Sequence, residues 1–158
     1  MSYTPPMDTP LNRCPSGDAK VQLFGLLLET NARMARRLGI ELESSCDLPL
    51  AWFDVLLQLR KSSDGRLKMN EIATAIVHST GGTTRLIDRL EEAGFVERQN
   101  CPSDRRAIHV AITVAGNEKL DDALSVHLGY LENTLATRLS DDERSTLAQL
   151  LTKLNAPV

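Results

Sequence analysis

The sequence predicts a mainly α-helical protein with a single small β-hairpin, and three observations carry that expectation. Leucine dominates the apolar residues while aromatics make up only 4% of the chain, a composition that favours helix over sheet. Apolar residues recur at helical spacing along most of the length, with glycine, serine and proline at the breaks. One stretch, residues 95–112, instead places two short β-prone runs either side of a cluster of turn formers.

Taken in order, residues 1–17 are rich in Pro, Ser, Thr and Asp and read as a flexible arm without the hydrophobic run of a signal peptide. Residues 18–44 carry Val21, Phe24, Leu27, Leu28, Ala35, Leu38 and Leu42 on one helical face, opposite Lys20, Glu29, Arg33, Arg36 and Arg37. Asp47 and Pro49 supply a cap and a first-turn proline for a second helix through Lys61, whose apolar face is Trp52, Phe53, Val55, Leu56 and Leu59. The run Ser62-Ser63-Asp64-Gly65 breaks it. A short extended piece at 66–68 precedes a compact helix over 69–77 and a turn at His78-Ser79. Ser79 or Thr80 can cap the next helix, which reaches Ala93 and stops at Gly94 in a left-handed C-terminal cap. Two short helices joined by a tight polar turn form a helix-turn-helix signature.

Residues 95–99 and 107–112 then read as strands, separated by Asn100-Cys101-Pro102-Ser103-Asp104-Arg105-Arg106. A hairpin directly after a helix-turn-helix is a wing, so the expected lobe is a winged helix-turn-helix. Thr113 caps a helix over 114–139, and Ser140-Asp141-Asp142-Glu143 is a capping box for a last helix to 155.

Charge and chemistry narrow the function classes. The chain carries a net charge of −3, but its distribution is uneven. Residues 1–59 sum to −2, residues 60–112 to +2 and residues 113–158 to −3, so cations gather around the helix-turn-helix and wing. Three dispersed cysteines and three dispersed histidines supply neither a disulfide framework nor a zinc-knuckle spacing, and no cofactor is expected. No phosphate-binding loop, nucleophile elbow or activated nucleophile is legible, which argues against an enzyme. No apolar run approaches the roughly 20 residues of a membrane span, and a cytoplasmic location is expected.

The run Thr84-Arg85-Leu86-Ile87-Asp88-Arg89-Leu90-Glu91, then Gly94-Phe95-Val96-Glu97-Arg98, Asp104-Arg105-Arg106, Ile112-Thr113 and Gly116 carries a resemblance. In order and separation these residues resemble the multiple antibiotic resistance regulator (MarR) family, over roughly residues 20–155. The resemblance implies a helical homodimer with one winged lobe per subunit. It implies binding to palindromic double-stranded DNA as a transcriptional repressor, and release by a small aromatic or phenolic ligand bound between the lobe and the dimerisation region. The expected organisation is then one domain over 18–158, with the lobe at 48–112 and dimerisation helices at 18–47 and 113–158. The leucine stripes of the last two helices, among them Leu120, Leu124, Leu128, Leu150 and Leu154, require burial within the subunit, between subunits, or both.

On this reading the recognition helix enters the major groove by its N-terminal turn. Thr80, Thr83 and Thr84 offer hydroxyls to phosphates or base edges, and Gly81 and Gly82 let the backbone approach phosphate. The alternative is that this segment merely caps and loosens a surface helix. Arg85 is expected at a guanine edge or a phosphate and Arg89 at a phosphate. Arg98 fits either a phosphate contact or an internal ion pair. In the wing, the resemblance makes Arg106 the minor-groove arginine and Asp104 the acid that orients it, with Arg105 near phosphate. The paired glycines and Thr83 depart from the family pattern, which puts the base-reading residues in question.

For an effector, Trp52 and Phe53 could line an aromatic pocket or simply pack in the core, with Arg36, Arg37, Asp54 and His78 as polar candidates. The peroxide-sensing thiol of some family members aligns with Phe24, so that mechanism does not carry over. Cys101, near Arg98 and Arg105, is the candidate for redox sensing. A winged helix kept for protein or effector binding without DNA is the remaining alternative.

Overall fold

The computed structural model describes residues 18–76, 82–101 and 104–156, with 101 and 104–107 described by their backbone alone. The expected arm at 1–17 lies outside the described residues. The chain divides into two compact units, Met1–Arg37 and Leu38–Val158. In the first, the described residues form the opening turns of helix α1 (Ala19–Cys46), where Val21, Leu23, Phe24, Leu26, Leu27 and Leu28 are all exposed. Six apolar side chains in eight residues cover more than one helical face.

The second unit begins within α1, where Leu38 and Leu42 turn inward. The helix ends at Cys46, and the next residue, Asp47, sits in the left-handed region (φ 47°) and donates its N–H to Glu43 O at 3.0 Å. The expectation that Asp47 caps the second helix is therefore corrected. Asp47 terminates the first helix instead, because a short polar side chain tolerates the left-handed conformation where most residues do not. Helix α2 (Leu50–Lys61) follows with Pro49 at its N-cap, and it buries Phe53, Val55, Leu56 and Leu59.

Strand β1 (Arg66–Lys68) leads into α3 (Met69–Ala75), whose first turn is held by Glu71 accepting from Lys68 N–H at 2.7 Å. Helix α3 stops two residues earlier than the sequence reading because Ile76, β-branched, adopts extended backbone. Helix α4 (Thr83–Glu92) opens after Gly82, not at Thr80 as the sequence suggested. The glycine pair explains the delay: fixing glycine in a helix costs more backbone entropy than fixing any other residue. Ser79 and Thr80 themselves lie outside the described residues.

Strands β2 (Val96–Cys101) and β3 (Asp104–Ile112) complete a three-stranded antiparallel sheet in the order β1-β3-β2. Val96 pairs with Ile112 and Arg98 with Val110, and the register shifts between Asn100 and Cys101. Pairing extends farther into 100–106 than the turn-former composition implied, since a backbone ladder is indifferent to polar side chains. Helix α5 (Val114–Leu131) ends in a π turn (Glu132–Ala136) rather than running to 139. There Thr137 N–H reaches Glu132 O while the Thr137 hydroxyl donates to Asn133 O, local bonds that compete with the helical ladder.

Helix α6 (Asp141–Asn155) starts with the expected capping box: Ser140 N–H donates to Glu143 Oε2 at 2.8 Å, and Glu143 N–H to Ser140 Oγ at 3.4 Å. Its leucines 147, 150, 151 and 154 remain exposed. The core of this unit is Leu42, Leu48, Phe53, Val55, Leu56, Leu59, Ile72, Ile87, Leu90, Val96, Val110 and Leu120, all buried. It joins α2, both helices of the helix-turn-helix, the sheet and α5.

Candidate nucleic-acid interface

Helix α4 is amphipathic in the sense its sequence dictates. Ile87 and Leu90 bury one side, while Thr84, Arg85 and Arg89 stand exposed on the other. Thr83 is half-buried, so of the three expected threonines it is the one turned partly toward the core. Arg85 and Arg89 are one helical turn apart and share a stripe. At the N-terminus, Gly82 makes no side-chain cap, and a Cβ there would meet nothing within 4 Å. Among the described residues no side chain caps the first-turn N–H groups, which lie at the positive end of the helix dipole.

The C-terminal end of α4 fastens the wing. Gly94 (φ 78°) donates to Glu91 O at 2.9 Å and Phe95 N–H to Leu90 O at 3.0 Å, a Schellman cap. Thr113 then locks three elements together. Its N–H donates to Phe95 O at 3.1 Å, its hydroxyl donates to Gly94 O at 2.7 Å, and the hydroxyl oxygen Oγ1 accepts from Gly116 N–H at 3.0 Å. The close approach requires glycine at 116, where a Cβ would lie 2.1 Å from Phe95 O.

Arg98 forms the internal ion pair that was one of the two alternatives left by the sequence. Its N–H donates to Glu91 Oε1 at 2.9 Å, its guanidinium reaches Asp88 Oδ1 at 2.5 Å, and it also pairs with Glu91 Oε2. Burial works against the charged guanidinium, and the bonds to Asp88 and then Glu91 outweigh it, raising its pKa above the ordinary arginine value. The carboxylate pair was a missed signal: Asp88 and Glu91 are three apart on one helix, an acidic clasp with a cation seven residues further on.

The other expected site residues separate. Thr80, Gly81 and His78 lie outside the described residues, as do the side chains of Cys101, Asp104, Arg105 and Arg106. Trp52 is half-buried with its ring edge-on to Phe95 at 6.1 Å, and Phe53 is buried against His127 with centroids 5.1 Å apart. Asp54 is half-buried, while Arg36 and Arg37 are exposed in the first unit.

His127 was not singled out by sequence, because its spacing from α2 is set only by how α5 packs. Burial, with the Lys61 charge as a smaller cause, holds its imidazole below the usual pKa, and Nδ1 has no hydrogen-bond partner among the described residues. Also unanticipated is the tie from Arg60 at the end of α2 to α5. It donates to Asn117 Oδ1 at 3.0 Å and Asn117 O at 2.6 Å and pairs with Asp121. Burial likewise pushes the Cys46 thiol up, and its Sγ donates to Leu42 O. Among the described residues no group of three His, Cys, Asp or Glu could hold a metal ion, and no helix is long and apolar enough to cross a membrane.

Comparison with known proteins bears on this geometry. A family model described as "MarR family" matches residues 47–107, which span α2 through the wing. The transcriptional repressor MprA of Escherichia coli K12 is 30% identical over 128 residues, covering 81% of this chain and 68% of the relative. The crystal structure of wild-type MarR from E. coli is 30% identical with a TM-score of 0.70, covering 85% of this chain and 96% of that one. Sco3205, a MarR family transcriptional regulator from Streptomyces coelicolor solved in complex with DNA, is 25% identical with a TM-score of 0.75, covering 87% of each chain.

Proposed function

Since this chain belongs to the MarR family of transcriptional regulators, we propose that it binds palindromic double-stranded DNA as a homodimer and represses transcription. A small aromatic or phenolic ligand, by this reading, lowers its affinity for DNA. The observation that carries the proposal is the exposed stripe of α4: Thr84, Arg85 and Arg89 face outward while Ile87 and Leu90 anchor the helix from behind. A recognition helix needs that division, because only side chains clear of the core can reach base edges and phosphates.

The roles follow from position. The N–H groups of the first turn, at Gly82 and Thr83, approach phosphate, where the helix dipole favours an anion. Thr84 and Arg85, in the same first turn, reach base edges. Arg89, farther along, meets the backbone. Asp104, Arg105 and Arg106 carry the wing's contact with the minor groove and its phosphates, a role that rests on the resemblance of the wing sequence. Trp52, Phe53 and Asp54 are the effector candidates on α2, with Phe53 already occupied by His127 and so a core residue first. Binding energy alone performs the proposed function, so no catalytic step enters it, and a cytoplasmic location is part of the same reading.

The test is a binding-site selection from a random duplex library, followed by fluorescence anisotropy on the enriched duplex across a salt series. The expected result is a palindromic consensus, submicromolar affinity and a steep loss of affinity with salt. Failure to enrich any sequence over random DNA at moderate salt sinks the proposal.

A further inference from the structure

We infer that Arg98 is a positioning residue for DNA recognition: clasped by Asp88 and Glu91, it fixes the roll of α4 and the root of the wing relative to each other, without touching DNA itself. The inference rests on the DNA-binding reading and assigns within it a residue whose charge suggests a different role.

Three features of the clasp point this way. First, it is anchored at both ends of the joint. Arg98 lies in β2, two residues after buried Val96 and paired in register with buried Val110, while Asp88 and Glu91 lie in the C-terminal half of α4. Second, it is multiply bonded. Glu91 accepts from both the backbone N–H and the guanidinium of the same residue, and Asp88 takes the other guanidinium nitrogen, so small rotations of α4 break more than one charge-assisted bond. Third, α4 is short, ten residues with only Ile87 and Leu90 buried. Two buried side chains one turn apart leave the roll of a short helix loosely determined, and Asp88 is one turn from both Thr84 and Arg85 on its outward side. A change of roll would therefore swing those side chains across the groove.

The electrostatics argue against direct phosphate contact. One guanidinium facing two carboxylates leaves a local net charge of −1, and the Arg98 side chain is 25% exposed whereas those of Asp88 and Glu91 are 48% and 37% exposed. A phosphate approaching this spot meets the acids first.

The two roles predict opposite signs, which makes them separable. In anisotropy titrations on the enriched duplex, Asp88→Asn combined with Glu91→Gln removes two negative charges near DNA. If Arg98 were a phosphate contact, freeing it would tighten binding. As a positioning residue, its release weakens specific binding by about tenfold while binding to scrambled duplex is unchanged or stronger. Arg98→Ala is expected to lose a similar factor with the slope of log affinity against log salt unchanged. A slope smaller by about one, or tighter specific binding by the double variant, overturns the inference in favour of a phosphate contact. Unchanged specific affinity with only a lowered melting temperature overturns it in favour of a purely structural bond. Circular dichroism at the assay temperature checks that each variant is folded, and Arg98→Lys, which keeps charge but not the fork, should recover little. A wild-type protein without preference for the enriched duplex removes the DNA reading itself, an outcome distinct from either.

Discussion

Arg85 and Arg89 share a stripe on α4 yet should fail differently when removed. Arg85, nearer the N-terminal turn, is expected to carry discrimination, so Arg85→Ala should cost about 1–3 kcal/mol on the preferred duplex and much less on scrambled DNA. Arg89→Ala should weaken both alike and reduce the salt slope by about one, which the same anisotropy series would read out. His127 makes a prediction of another kind. Its folded-state pKa is held below the ordinary 6.5, mainly by burial, so the unfolded chain takes up the proton first as pH falls. The stability it contributes is complete above pH 6.5 and is lost as pH drops through the folded-state value. Thermal melts between pH 7.5 and 5, with imidazole resonances followed by NMR, should show a decline that His127→Gln flattens; an equal decline in both proteins would refute this. The lowered carboxyls of Glu143 and Asp64 are exposed and titrate below this window.

Where elements meet, two glycines serve different physical needs, and alanine at each tests them apart. Gly94 has a left-handed backbone (φ 78°) with open space around it, so Gly94→Ala should cost only the conformational penalty, about 1–2 kcal/mol. Gly94→Asn should recover part of that, since asparagine tolerates the same region. Gly116 is required by proximity rather than by backbone angle. A Cβ 2.1 Å from Phe95 O would force the start of α5 away from the wing, at a cost of about 3 kcal/mol. No small polar side chain should rescue it. Urea denaturation of the three variants gives the ordering; Gly94→Ala costing more than Gly116→Ala would contradict this account. The Thr113 hydroxyl, shared between Gly94 O and Gly116 N–H, belongs to the same joint.

For the molecule as a whole, the apolar surface is the open question its sequence poses. Leu150 and Leu154 are 54% and 65% exposed, and Leu147 and Leu151 stand beside them on α6. In the other unit, Val21 to Leu28 expose a comparable set. Surface of this kind on helical ends marks association. Leu150→Asp with Leu154→Asp should convert a dimer to a monomer by light scattering with helix content intact, and should lower affinity for the palindrome toward that of a half-site. A dimer that survives both substitutions would move the interface elsewhere.

The order of elements was legible in the sequence because each depends on neighbours a few residues apart. The 3.6-residue spacing of Phe53, Leu56 and Leu59, the Ser140–Glu143 box and the left-handed stop at Gly94 act within one or two turns. The same locality made Thr84, Arg85 and Arg89 readable as outward-facing, once Ile87 and Leu90 marked the inner side. Asp47 was misassigned because cap preference alone does not say which of two adjoining helices a residue serves; that was settled by its backbone angle. Arg98 was undecided for a related reason: its acids sit on a different element, brought to it by the Schellman turn. His127 against Phe53, and Arg60 against Asn117 and Asp121, join residues more than 50 positions apart. Periodicity carries no information across such distances, and only packing fixes which helix face meets which.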